Sequence, residues 1–396
     1  MEQTDVRFRA EKDDLAEAVG WVAKNLPTRT TQPILRGMIF DAGDEGLEIA
    51  GYDYEVSTRV RVPAEIETLG RFAVSGRLVA DIVSKMANKP IELHYDGSKV
   101  HLSCGSSRFE LPAMTLEDYP ALPATPATTA TVDPGTFVEA IGQVSVAAGR
   151  DDTLPMLTGI RMETDGDVVT LAATDRFRLA VRTFRWDPAG DAAAELLIPA
   201  KTLAETARSL DVHSTEPVTI AVGDGSDDRP VGADGLLGIL AGDRRTTTRL
   251  LDADFPNFRP LLPKEHTSLA SIEIEPLREA IRRVSLVADR GAQVRMDFSE
   301  GQVRLSAQAE ETGRAEEVLD CAFVGEPMLI AFNPSYLNDG LGAIHTDRVV
   351  MGFTQSSRPA ILVPEPERMP EAGADGAYPT PETDYTYLLM PVRLPG

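Results

Sequence analysis

The sequence predicts an α+β chain built from three copies of one domain, and two repeating patterns predict it. The first is a helical stripe with constant spacing: Leu15, Val19 and Val22; Phe137, Ile141 and Val144; Leu277, Ile281 and Val284. Each follows i, i+4, i+7, one face of an α-helix. The second is a shorter helical pair that begins 63, 66 and 60 residues further on: Leu78 and Ile82; Leu203 and Ala207; Leu337 and Leu341. A strand-like run precedes each pair, at 71–75, 196–199 and 328–332, and another follows it, at 91–95, 218–222 and 349–353. Self-similarity on this scale sets the architecture before any motif does.

Taken in order, each copy reads strand, helix, three or more strands, helix, then further strands. In the first copy Val6-Arg7-Phe8 leads into a helix over about residues 11–25, with strands expected at 34–40 and 47–50. The second has expected strands at 156–162 and 169–172, and the third at 294–298 and 303–306. Gly and Asp between them, as in Asp165-Gly166-Asp167 and Glu300-Gly301, favour antiparallel hairpins. Two helices against antiparallel strands is an α+β layer arrangement. Copies one and two close on similar segments, Tyr119-Pro120-Ala121-Leu122-Pro123 and Phe255-Pro256-Asn257-Phe258-Arg259, so the expected domains are 1–125, 130–263 and 266–396. The stretch 364–384, rich in Pro, Gly, Ala and acid, reads as a mobile acidic loop.

A length of 396 residues gives each copy 132, enough for its own core. The 62 acidic and 39 basic residues leave a net charge of −23, which repels nucleic acid and anionic membranes at long range. Ordinary phosphate-driven DNA binding is therefore disfavoured on composition. The two cysteines, Cys104 and Cys321, lie in different copies, and no disulfide framework is expected. No run approaches the ~20 apolar residues of a membrane span, and a cytoplasmic location is expected.

No catalytic constellation emerges. His94, His101, His213, His266 and His345 are scattered, the cysteines lack zinc-site spacing, and no phosphate-binding GxxxxGK[ST] loop occurs. Gly223-Asp224-Gly225-Ser226-Asp227-Asp228 lacks the distal Glu of a calcium loop and reads as a surface turn. No metal, no cofactor and no enzymatic activity are expected.

The threefold repeat, the segments Ala173-Thr174-Asp175-Arg176-Phe177-Arg178-Leu179-Ala180 and Phe255-Pro256-Asn257-Phe258-Arg259, and the tail Tyr387-Leu388-Leu389-Met390-Pro391-Val392-Arg393-Leu394 resemble the bacterial sliding clamps, β subunits of DNA polymerase III. The resemblance covers essentially the whole chain. Pro395 and Gly396 extend the usual ending, and with the acidic insertion this is similar to clamps of high-GC Gram-positive bacteria. It implies three clamp domains per chain and a head-to-tail homodimer forming a six-domain ring around double-stranded DNA. It also implies a non-enzymatic processivity factor in a holoenzyme whose polymerase and 3'-5' exonuclease activities lie in other chains. A ring holds DNA by topology, which removes the objection raised by the charge: a modestly basic lining suffices.

The resemblance also implies site residues. A peptide pocket falls at Met156, Leu157, Thr174, Arg178, Leu179, Pro256, Leu261, Arg358, Met390, Pro391, Val392, Arg393 and Leu394. Its expected ligands are short motifs of the replicative polymerase α subunit, the clamp loader, other DNA polymerases and repair proteins. Met156 stands where many members have Tyr, and Arg358 near a position often held by a small polar residue, so altered partner or inhibitor preference is expected. Arg29, Arg150 and Lys201 are expected to face DNA by the resemblance. Arg282 and Arg283 join them from the charge pattern of the third copy's first helix, which also carries Arg278 and Arg290 beside Glu279 and Asp289. Phe109 and Leu286 are expected at the dimer interface. Two other readings stay open: a specialised clamp paralogue conferring resistance to a clamp-binding inhibitor, and an acidic peptide-binding adaptor that does not encircle DNA.

Overall fold

Burial follows the three helical stripes. The computed structural model describes residues 5–190, 193–222, 235–288, 293–309 and 313–393. Leu15, Val19, Val22, Val144 and Leu277 are fully buried, and Phe137, Ile141, Ile281 and Val284 are 5 % exposed or less. Burying such a side chain contributes about 1.5–3 kcal/mol. Seven helices occur among the described residues: α1 (Lys12–Asn25), α2 (Gly76–Lys85), α3 (Pro134–Ser145), α4 (Pro155–Thr158), α5 (Ala200–Arg208), α6 (Ile274–Val284) and α7 (Pro334–Gly342). The stripes lie on α1, α3 and α6. No helix among the described residues is long and apolar enough to cross a membrane.

Two details depart from expectation. The inward face of α2 is Gly76, Val79 and Val83, whereas Leu78 is exposed and Ile82 only half-buried. Gly76 fixes that phase, because a Cβ there would collide with Leu26 and Met38. The strands expected at 34–40 and 156–162 also begin late, at Gly37 and Gly159. Each is preceded by a helical turn, Pro33–Arg36 and α4, with Pro in its first turn. Proline's fixed φ and missing N–H suit a helix start and not a strand interior.

The chain divides into two compact units, Met1–Gly135 with Trp186–Ala192 and Arg208–Leu250, and Thr136–Arg185 with Ala193–Ala207 and Leu251–Gly396. The division cuts through the second copy because its strands join two different sheets. In the first unit, strand Arg244–Arg249 pairs antiparallel with Val56–Val62 of copy one, extending a 14-stranded sheet. In the second, strand Arg178–Arg185 pairs with the C-terminal strand Tyr385–Leu389, within a nine-stranded sheet. A four-stranded sheet completes the third copy, in the order 313–320, 302–309, 294–299, 328–332. Inside the first unit the stacked rings of Phe8, Phe40 and Phe72 anchor the core beneath α1 and α2.

The segment 364–384 is docked, contrary to its reading as a mobile loop. Tyr378–Pro379 pairs with Glu265–His266, and Tyr378 and Met369 pack on Leu269, Val350, Ile361 and Val363. Thr380 donates its backbone N–H to the Lys264 carbonyl (2.9 Å) and its hydroxyl to the Pro263 carbonyl (2.7 Å). The same hydroxyl lies 2.9 Å from His266 Nε2, while His266 Nδ1 is buried without a partner. Enough apolar surface and backbone pairing thus survive among the acidic residues to hold the segment down. The stretches 223–228 and 289–290 lie outside the described residues.

Burial pushes the His266 pKa down to about 4 from its ordinary 6.5. The unfolded chain therefore takes up this proton first as pH falls, so stability is lost between pH 6.5 and 4, by about 3 kcal/mol at the limit. In urea titrations the stability advantage of wild type over His266→Gln should shrink by that amount between pH 7 and pH 4; a constant difference would show that His266 does not titrate in this way.

Candidate functional site

Asp175, Arg176 and Phe177 form a tight turn between strands Val168–Thr174 and Arg178–Arg185. Asp175 accepts from the backbone N–H groups of Phe177 (3.0 Å) and Arg178 (3.1 Å). The Thr174 hydroxyl donates to the Arg178 carbonyl (2.7 Å) and accepts from the Arg176 N–H (3.2 Å). These bonds hold Arg176 in the left-handed region, φ 79°, a conformation that costs a non-glycine residue about 1–3 kcal/mol. The turn leaves Phe177 56 % exposed and buries Arg178 to 6 % exposure.

Arg178 organises the surrounding side chains. Its Nε donates to Asp175 (2.9 Å) and its Nη1 to Asp339 (2.6 Å) and the Tyr387 hydroxyl (3.4 Å). Its guanidinium lies 4.4 Å from the centre of the Tyr336 ring, an attractive cation–π placement. Burial alone would weaken the charged form, but Tyr387, Asp339 and Asp175 outweigh it and raise the pKa above the ordinary arginine value. Tyr336 and Asp339 come from α7, whose start is fixed by Asn333 accepting from the Ser335 and Tyr336 N–H groups and by Pro334 at its first position. Phe177 stacks on Tyr336 at 6.0 Å.

The C-terminal segment is docked against this turn. Tyr385 and Tyr387 are fully buried, their hydroxyls donating to the carbonyls of Gln143 (3.1 Å) and Tyr336 (2.8 Å). Gly340 admits the Tyr387 ring, since a Cβ there would overlap it. Beyond the strand, Met390 N–H donates to the Phe177 carbonyl and Val392 N–H to the Ala331 carbonyl, each at 2.8 Å.

A cavity of about 620 Å³ opens beside these groups. Leu154 and Leu157 supply apolar wall from α4 and its approach, Phe177 and Arg178 come from the turn, and Tyr336 and Asp339 from α7. Three arginines (Arg150, Arg176, Arg178) and three aspartates (Asp151, Asp175, Asp339) line it, so it is charge-balanced within a strongly acidic chain. Apolar wall with a few fixed polar groups suits an extended apolar peptide.

The expected residues distribute unevenly. Leu157 and Arg178 line the cavity, and Thr174 braces the turn behind it. Leu179 is core, clustered with Ala172, Phe258 and Leu388. Pro256, Leu261, Met390, Val392 and Arg393 are exposed, and Met156 and Pro391 half-buried. Arg358 is exposed in the turn after Phe353 and lies outside this cavity's lining, as does Met156. Leu394 lies outside the described residues. Arg150, expected to face DNA, lines the cavity. Arg29 and Lys201 are exposed and make no ion pair among the described residues, whereas Arg282 pairs with Glu275 and Arg283 with Glu279 and Glu317. Sequence reading missed Phe177, Tyr336 and Asp339. Asn333-Pro334 is a helix-start signal in the sequence, but nothing local shows that α7 meets the turn. No group of three or more His, Cys, Asp or Glu placed to hold a metal ion occurs among the described residues.

Comparison with known proteins settles the family. Models of the N-terminal, central and C-terminal domains of the DNA polymerase III beta subunit match residues 6–123, 131–257 and 259–371. The chain belongs to the bacterial β sliding clamp family. It is 46 % identical over 393 residues to the beta sliding clamp of Streptomyces coelicolor, covering 99 % of this chain and 100 % of the relative. To the beta sliding clamp homolog GriR of Streptomyces muensis it is 39 % identical over 389 residues, covering 98 % and 99 %. The crystal structure of the Bacillus subtilis DNA polymerase sliding clamp superposes with TM-score 0.87 at 25 % identity, covering 98 % of this clamp and 99 % of that chain. The α+β architecture of three repeated domains is therefore that of the sliding clamps.

Arg178→Ala in this clamp would leave Asp175 mostly buried without its cation. Urea unfolding should show a loss of about 3 kcal/mol, and a loss below 1 kcal/mol would mean that the aspartates re-pair.

Proposed function

We propose that this clamp works as a head-to-tail homodimer closed around double-stranded DNA, and that the cavity beside Arg178 captures short apolar motifs of the polymerase α subunit, the clamp loader and other polymerases and repair proteins. The observation that carries the tethering role is the charge-balanced cavity, walled by Leu154, Leu157, Phe177 and Tyr336 and backed by a docked C-terminal segment. A peptide with a Leu and a Phe can bury both there while Arg178 stays satisfied from within. Such a groove gives modest affinity and exchange of partners. The homodimer is supported by two strand edges, Ser107–Met114 and Gly313–Asp320, that carry the exposed apolar residues Phe109 and Val318 and pair on one side only over most of their length among the described residues. Leu286, 81 % exposed on the turn after α6, adds a further apolar contact for a partner. The clamp acts without catalysis of its own, in the cytoplasm.

Loading onto nicked circular plasmid with a clamp loader and ATP tests encirclement. The clamp should remain on the circle and be lost on linearisation; salt-sensitive binding indifferent to linearisation would overturn it. In peptide titrations Leu157→Ala should weaken a Leu- and Phe-bearing motif roughly tenfold, from about 1–2 kcal/mol of lost apolar contact. Unchanged affinity would place the motif elsewhere.

A further inference from the structure

Charge is balanced over the cavity beside Arg178 as a whole, but not within its parts. Arg178 is matched twice, by Asp175 at 2.9 Å and by Asp339 at 2.6 Å. The other charges lining the cavity are Arg150, Arg176 and Asp151, two cations to one carboxylate. Both arginines are exposed, and neither makes an ion pair among the described residues. Asp151 commits one oxygen to its own loop, accepting from the Thr153 N–H (3.0 Å) and hydroxyl (2.6 Å). One guanidinium is thus neutralised from within, and beside it positive charge is left over.

The backbone holds both surplus arginines in place. The Gly149 N–H donates to the Leu157 carbonyl (2.7 Å) and the Leu154 N–H to the Asp151 carbonyl (3.0 Å), which folds the segment carrying Arg150 onto the apolar wall. The approach is close: a Cβ on Gly149 would stand 3.2 Å from the Leu157 carbonyl oxygen. Arg176 is held by its N–H on the Thr174 hydroxyl. Groups fixed in advance lose less freedom when a ligand arrives. The turn itself does not require the charge, because Tyr54 adopts the same left-handed conformation as Arg176 in the equivalent turn of copy one.

We propose that Arg150 and Arg176 read an acidic side chain, Asp or Glu, on the segment that this cavity captures. This rests on the peptide-capture reading above and specifies the partner's chemistry. A guanidinium presents a planar fork of N–H donors that fits a carboxylate. A basic segment would have to draw Asp339 or Asp175 away from Arg178, which is buried and needs them. The net charge of −23 favours basic segments at long range. At contact the two arginines reverse that preference, since a lysine would meet like charge. Leu157 and Phe177 supply apolar contact, and the arginines supply discrimination.

Fluorescence anisotropy with capped peptides tests this. The peptides carry the Leu and the Phe and differ only in having Asp, Asn or Lys, placed in turn at each position between and beside these two. At its best position Asp should bind wild type about threefold more tightly than Asn and about tenfold more tightly than Lys. The preference should vanish in about 1 M salt, where the Debye length is about 3 Å. In the double variant Arg150→Glu with Arg176→Glu the order should invert, Lys binding more tightly than Asp, a gain that misfolding cannot produce. Affinities indifferent to peptide charge at every position, or an unchanged order in the double variant, would overturn this proposal alone so long as Leu157→Ala still weakens binding. Peptides that bind wild type no better than Leu157→Ala would overturn the capture reading and this proposal with it.

Discussion

An open strand edge exposes backbone N–H and C=O groups that must find partners, and the organisation of this clamp follows from how each copy meets that demand. Two of the sheets run from one copy into the next. The last strand of copy two closes on copy one at Val56–Val62, and the last strand of copy three closes on copy two at Arg178–Arg185. Domain boundaries in sequence and compact units in space therefore disagree: the second copy is one repeat by sequence, yet its strands belong to two sheets. The same logic makes the tail structural, because Tyr385–Leu389 is interior to a nine-stranded sheet.

The turn beside the cavity is a modified copy of this joint. Asp53 accepts from the Glu55 and Val56 N–H groups as Asp175 does from Phe177 and Arg178, and Tyr54 and Arg176 share the left-handed conformation, φ 76° and 79°. Arg249 donates its N–H to the Glu55 carbonyl at 2.9 Å, the counterpart of Met390 on Phe177. One backbone device thus serves both joints. What differs is the side chains: Glu55 and Val56 in the first, Phe177 and Arg178 in the second. The aromatic ring and the internally neutralised guanidinium line a cavity at the second joint.

Legibility in the sequence tracked the locality of the forces. Stripes such as Leu277, Ile281 and Val284 were readable because a helix buries one face at fixed spacing. Leu78 misled because the phase of α2 is set by Gly76 against Leu26, a contact fifty residues distant. The segment 364–384 misled because composition weighs every residue alike, whereas a few residues, among them Met369, Tyr378 and Thr380, dock it. Within the cavity, Leu157 and Arg178 were reachable through family resemblance. Asp339 was not, since its role exists only where α7 meets a turn 161 residues earlier in the chain.

Electrostatics connects these features to sliding. A net charge of −23 opposes DNA at distances up to the Debye length, about 8 Å at physiological salt. Of the arginines expected to line the ring, Arg282 and Arg283 are held by Glu275, Glu279 and Glu317. A cation already paired releases few counterions from DNA and adds little salt-sensitive affinity. Arg29 and Lys201 remain as unpaired exposed cations among the described residues. Weak attraction of this kind suits a ring whose hold on DNA is topological. Deep phosphate contacts would each have to break at every step along the duplex, a cost that the proposed topological hold does not carry.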